Sequence, residues 1–153
     1  MFEPPDYDAF FHRYARAYQA SLGDRVEVEL IRSFFAESFL AASTLGGVNV
    51  GANDDAFART LETGYAFYKA IGTKRMAVER IEVEPLYEAH DRVRVFYVAE
   101  YDRPDGASIT IPFDVLYLLQ RRKDGPKIFA FIAGDETALY REHGLMDAEG
   151  RPA

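Results

Sequence analysis

Apolar side chains between Asp6 and Leu22 fall at Phe10, Phe11, Tyr14, Ala15, Tyr18 and Leu22. Steps of three and four residues put them on one helix face. Gly23 suits the position just past the helix end, where positive φ is common. Asp24, with Glu27 three residues on, reads as a capping box opening a second helix. Its inward face is Ile31, Phe34 and Phe35, with Leu30 and Phe39 beside them. Val26 to Leu30 also alternates with period two, so the first turn can be read as extended. Ser43 to Ala52 holds Gly46, Gly47 and Gly51 and no helical period, which predicts a loop with a short extended piece at Val48-Asn49-Val50. Asn53 is expected to cap a third helix, with Asp54 and Asp55 placed to suit its dipole. Phe57, Leu61, Tyr65 and Tyr68 mark its inner face, and Gly72 ends it.

After Gly72 the period changes to two. Met76 and Val78 lie in one phase and Ile81 and Val83 in the other, so a bulge is expected near Glu79-Arg80. Pro85 closes or edges that strand. Arg92 to Tyr101 is a second strand, and Pro104-Asp105-Gly106 a turn in which Pro presets φ and Gly supplies a positive one. Ser108 to Arg121 is a third strand, Asp124-Gly125 a hairpin turn, and Lys127 to Asp135 a fourth strand. Thr137 to His143 forms a short terminal helix, and the polar tail from Asp147 is expected to fray. Three helices followed by an antiparallel meander define an α+β domain. The 153 residues suit one domain, 1–153, with an ordered core of about 7–144.

The later strands carry apolar residues in both phases. Ile109, Ile111, Phe113, Val115, Tyr117 and Leu119 share one face, while Leu116 and Leu118 share the other with Asp114. A sheet with one wet face alternates more cleanly. Both faces are therefore expected to be covered, one by helices and the other by a second subunit, giving a homodimer packed through its sheets. The alternative cover is the glycine-rich loop and the terminal helix.

Composition narrows the classes. With 48% hydrophobic and 14% aromatic residues, a core forms without staples, and zero cysteines removes thiolate chemistry and disulfides. A net charge of -7 disfavours nucleic acid and anionic membranes, which are bound mainly through cationic surface. The opening stretch lacks the cationic start and apolar run of a signal peptide, and no window reaches the roughly 20 apolar residues of a membrane span. The expected location is the cytoplasm.

The order of elements resembles the nuclear transport factor 2-like (NTF2-like) superfamily over about Tyr7 to Gly144. That superfamily includes ketosteroid isomerases, SnoaL-like polyketide cyclases and many bacterial proteins. The resemblance implies a cone in which three N-terminal helices pack on a curved antiparallel β-sheet with a short C-terminal helix, leaving an apolar cavity at the open end. Pro112-Phe113-Asp114 is similar to the Pro-x-Asp segment that carries the oxyanion-hole acid of ketosteroid isomerases. Tyr14, in an Arg-Tyr pair, or Tyr18 one turn on, matches the partner tyrosine. Where the general base of those enzymes falls, this chain has Ser43, which cannot abstract a C–H proton near neutral pH without a base of its own. The resemblance thus implies a cofactor-free pocket for a small hydrophobic or carbonyl-bearing molecule, with isomerase, cyclase or dehydratase chemistry through an enol-like intermediate. The alternative is a non-catalytic binding or dimerisation module of the same fold.

On physical grounds a carboxyl at Asp114, flanked by Leu116 and Leu118, would lose water if that face were buried. Its pKa would then rise until the neutral acid donated a hydrogen bond, a logic for which ketosteroid isomerase is itself the standard worked case. The other reading pairs Asp114 with an arginine across the sheet. Phe34, Phe39, Tyr65, Tyr68, Leu116 and Leu118 are the candidate ligand contacts, the tyrosines foremost because a buried hydroxyl needs a partner. His12, His90 and His143 have no metal-ligand spacing, and no nucleotide-binding loop or nucleophile elbow appears. Asp135-Glu136 reads as a helix cap rather than a catalytic dyad, and Arg121-Arg122-Lys123 as a solvated turn.

Overall fold

The computed structural model describes residues 3–153; Met1 and Phe2, the start of the segment read as lacking signal-peptide character, lie outside the described residues. Helix α1 spans Tyr7–Ser21. Asp6 caps it, accepting from the Ala9 N–H at 3.0 Å. Phe10, Phe11, Ala15 and Ala17 form its buried face. Gly23 has no positive φ, because the chain leaves through Leu22 in a right-handed conformation.

The second helix is far shorter than its spacing predicts. α2 is Val28–Arg32, a little over one turn, and Glu27 makes no side-chain cap. Instead the Glu27 N–H donates to Ser21 Oγ at 3.0 Å. Phe35 and Phe39 belong to strand β1, Phe35–Ser43. Residues four apart share a face in a helix and in a strand alike, so their spacing could not discriminate. The glycine-rich segment beyond is half strand. β2, Val48–Ala52, pairs antiparallel with β1, with Gly51 opposite Phe39. A Cβ at Gly51 would lie 2.7 Å from the Phe39 ring, so glycine lets β2 cross it.

Helix α3 is Asp55–Ala70, capped by Asp54, which accepts from the Phe57 N–H at 3.1 Å. Asn53, expected as the cap, is used elsewhere. Its Oδ1 accepts from Arg32 Nε at 2.8 Å, and its Nδ2 donates to the Arg32 carbonyl at 2.9 Å. That exchange ties α2 to the entry of α3.

Four strands follow: β3 Thr73–Tyr87, β4 His90–Asp102, β5 Ser108–Gln120 and β6 Lys127–Ala133, then helix α4, Glu136–Glu142. The strand order is β2-β1-β6-β5-β4-β3. β3 to β6 form the expected antiparallel meander, and its register slips between Val78 and Arg80, where the bulge was placed. β1 joins parallel to β6. The sheet therefore has six strands and is mixed, not a four-stranded antiparallel sheet under three comparable helices. Pro85 lies inside β3, an edge strand, the place in a sheet where a residue without an N–H is tolerated.

The two sheet faces differ. Val93, Val95, Tyr97, Ala99 and Tyr101 of β4 are buried in the hydrophobic core, whereas Arg92 and Arg94 are exposed and Phe96 and Val98 half-buried. The Arg80 and Arg94 guanidinium groups lie 3.7 and 4.8 Å from the Phe96 ring centre. Arginine thus covers some outward apolar surface.

Arg121 is no solvated turn residue. Its Nε and Nη2 donate to Asp91 at 2.8 Å each, and the Tyr7 hydroxyl donates to the same carboxylate at 2.6 Å. Arg122 reaches Glu37 through both terminal nitrogens, at 2.6 and 2.9 Å. The C-terminal segment folds back rather than fraying. Leu145 is buried, and Asp147 accepts from the Arg151 N–H at 2.8 Å and from Arg151 Nε at 3.1 Å. No helix among the described residues is long and apolar enough to cross a membrane.

Candidate functional site

Between helices α1 and α3, the inward face of the sheet and α4 lies a cavity of about 310 Å³. Its walls use eight of the chain's ten tyrosines and four phenylalanines. Helix spacing places Tyr14 and Tyr18 on one side, with Tyr65 and Tyr68 on another. Strand parity supplies the floor, because Phe113, Val115 and Tyr117 of β5 point inward together. The hydroxyls of Tyr97 and Tyr117 share a hydrogen bond of 2.7 Å. Burial holds the phenol protons tightly. Tyr14 is pushed up to about 12, by burial first and by the nearby Glu136 second. Tyr18, Tyr65 and Tyr68 are raised further by the same leading cause. At neutral pH the wall is therefore a set of uncharged hydroxyls, each able to donate and to accept.

One carboxyl enters this wall. Asp135 caps α4, its Oδ1 accepting from the Ala138 N–H at 3.0 Å. Glu136, the next residue, turns into the cavity. Its Oε2 accepts from the Tyr140 hydroxyl at 3.3 Å. Burial raises its pKa above the ordinary carboxylate value, with the Tyr140 bond acting against the rise. Among the described residues, no lysine, arginine or histidine lines the cavity, and no three His, Cys, Asp or Glu side chains converge as a metal site would need.

The structure brings Tyr14, Tyr18, Tyr65 and Tyr68 together here. It does not bring Asp114. Successive strand residues point to opposite faces, and with Phe113 and Val115 inward Asp114 turns outward. There its Oδ2 accepts from Arg94 Nε at 2.8 Å, with 42% of the Asp114 and 49% of the Arg94 side chain exposed. The tyrosine and acid of the expected oxyanion pair thus stand on opposite sides of the sheet. Leu116 lines a groove on the outer face beside Asp114, and Leu118 shares their strand phase. Phe34 is buried under Phe10 and Tyr14, at ring separations of 5.2 and 5.4 Å. Phe39 packs on Phe35 and Phe57 at 5.2 and 4.9 Å. Both phenylalanines are core and neither lines the cavity. Ser43 ends β1, and its Oγ accepts from the Leu45 N–H at 3.1 Å, shaping the turn to β2.

Sequence reasoning missed Tyr97, Tyr101, Tyr117 and Tyr140, and it read Glu136 only as part of a cap. The inward phase of β5 carried the signal for Tyr117, since it shares that phase with Phe113 and Val115. Nothing local marks Glu136 as inward.

The profile of the NTF2-like protein family DUF6841 matches residues 5–136. The chain belongs to this NTF2-like family. No curated protein matches it. Among solved structures it is similar to an NTF2-like protein with a cystatin-like fold from Novosphingobium aromaticivorans, with a TM-score of 0.65 at 13% identity over 90% of this chain and 85% of that one. It is similar to Aln2 from a Streptomyces species, with a TM-score of 0.61 at 16% identity over 93% and 99% of the two chains. A ketosteroid isomerase-like protein from Erwinia carotovora atroseptica follows, with a TM-score of 0.58 at 14% identity over 83% and 91%. At such identities the likeness is one of fold, and activity must be argued from the cavity.

Proposed function

We propose that this NTF2-like protein binds one small, mainly apolar molecule in the tyrosine-lined cavity, with a polar group of that molecule facing Glu136. The observation that carries this reading is the cavity itself, about 310 Å³ left unfilled among large aromatic side chains with a single carboxyl in its wall. Ligand sites are typically roughly 300–1,000 Å³, mostly apolar, with a few convergent polar groups. A module whose interior is filled by its own side chains would lack this space.

Chemistry of the isomerase, cyclase or dehydratase kind is the second reading, and Glu136 is what favours it. A carboxylate raised by burial is a stronger base, and the neutral tyrosine hydroxyls around it are oxyanion donors. In this reading Glu136 takes the part that Ser43 cannot, and the tyrosines act without Asp114. The outer sheet face supports a further proposal, a homodimer, because Leu40 and Ile132 stay exposed there beside Leu116.

A blocking variant tests the binding reading. Gly64 of α3 lines the cavity, and a Cβ there would meet nothing within 4 Å. Gly64→Leu is expected to fold at least as well as the wild type, since glycine inside a helix costs roughly 0.5–1 kcal/mol relative to alanine. A panel of apolar dyes and small aromatic compounds should raise the wild-type melting temperature by mass action. It should leave that of Gly64→Leu unmoved. A flat wild-type response across the panel would overturn the reading.

A further inference from the structure

The cavity's charge balance is one-sided. Glu136 is its sole carboxyl among the described residues, and no basic side chain lines it. No ion pair of Glu136 occurs among the described residues. Its hydrogen bond from Tyr140, at 3.3 Å, is long for an O–H donor, and a carboxylate has room for several more. The aromatic rings carry no net charge, but a ring face is the negative side of its quadrupole and attracts cations. Tyr18, Tyr65 and Tyr68 form a cluster with ring centres 5.1 to 5.5 Å apart and two of its three pairs near edge-to-face. Glu136 is close enough to act electrostatically on Tyr18 and Tyr68. Acid and ring cluster therefore look onto one space.

We propose that the cavity is a site for an organic ammonium group, a small hydrophobic cation whose charge is held by Glu136 and by the faces of Tyr18, Tyr65 and Tyr68. This rests on the binding reading above and names its ligand class. Aromatic faces attract desolvated cations, and an ammonium adds the missing partner of the carboxyl. An anionic ligand would meet Glu136 and negative ring faces with no basic residue to hold it. A neutral ligand would offer the carboxyl at most a hydrogen bond and no counter-charge. The net charge of -7 also favours the approach of cations. An ammonium bound there ties up Glu136 and removes it as a base, so this inference and the catalytic reading exclude each other.

Binding should depend on pH in one direction. The groups facing Glu136 are Tyr14 and Tyr18 from α1, Tyr68 from α3, Tyr101 and Tyr117 from the sheet, and Tyr140 from its own helix. All are phenols raised above their ordinary value, so Glu136 is the one carboxyl among them. Burial favours its protonated form. A cation requires the ionised form, so cation affinity should fall as pH is lowered.

Phenyltrimethylammonium and its neutral isostere tert-butylbenzene test this on the full chain, by calorimetric or NMR titration. The cation is expected to bind at least tenfold more tightly than the isostere. Glu136→Gln should lose at least tenfold for the cation and leave the isostere unchanged, while Asp114→Asn, on the far side of the sheet, should change neither. If the isostere binds as tightly as the cation, or Glu136→Gln binds the cation as the wild type does, the ammonium inference fails and the binding reading stands. If neither probe binds and the apolar panel is also without effect, both fail. Should Glu136→Gln not fold, the preference of the wild type between the two probes, and its pH dependence, still decide.

Discussion

Asp91 has no solvent exposure, and Arg121 has 10%. Burial alone would raise the Asp91 carboxyl, but the bonds from Arg121 and Tyr7 outweigh it and hold the group below its ordinary value. A depressed native value means that the unfolded chain takes up the proton more readily. The stability from this group is therefore complete above the ordinary carboxylate pKa of about 4 and is lost as pH falls toward the lower native value. Breaking one side of a buried pair strands the other charge, at a typical cost of about 3–5 kcal/mol. Asp91→Asn should lower the urea midpoint by a corresponding amount at neutral pH. It should also flatten the decline of that midpoint between about pH 5 and pH 2 relative to the wild type. An unchanged midpoint would contradict the pairing. Asp114 makes the contrasting case, because its pair with Arg94 is half-exposed and such pairs contribute about 0–1 kcal/mol. Both acids sit in strands of mixed phase, and of the two readings of Asp114 the structure has the pair with an arginine across the sheet. A carboxylate's surroundings depend on what packs against its face, and no neighbour in sequence reports that.

The end of α3 and the turns of the meander were the most legible elements. Gly72 was read as the end of α3, and the structure shows why only glycine serves. Its φ is +89°, and a Cβ there would lie 2.1 Å from the Asp102 carbonyl oxygen. Asp102 also donates its N–H to the Gly72 carbonyl at 2.8 Å, locking the helix exit to β4. Gly72→Ala should cost at least about 1–3 kcal/mol from the backbone conformation alone, with the clash adding to it. A lower urea midpoint at unchanged slope would register this as lost stability. The bulge at Val78/Arg80 and the turn at Gly106 were legible for a related reason, since phase slips and positive φ leave local marks. α2 and β2 were not. Two phenylalanines four apart satisfy either element, and the pairing of β2 with β1 is a contact that a short, glycine-rich segment does not advertise.

At the scale of the molecule, the proposed dimer follows from the outward sheet face. Leu40 is 43% exposed and Ile132 40%, on the face that carries the Arg94–Asp114 pair. Sedimentation at micromolar concentration should give a dimer, and Ile132→Glu should give a folded monomer; a monomeric wild type would remove the proposal. The amino-acid sequence by itself determined the α+β class, the order of α1, α3 and the four meander strands, and the turns and two phases of that meander. These follow from local periodicity and backbone preference, which any short window of chain carries. Tertiary structure alone decided which phase meets the helices, and with it that Asp114 pairs outside while Glu136 enters a cavity lined by eight tyrosines. Sidedness is set by which remote element covers a face, so it belongs to the packed molecule and to no segment of it.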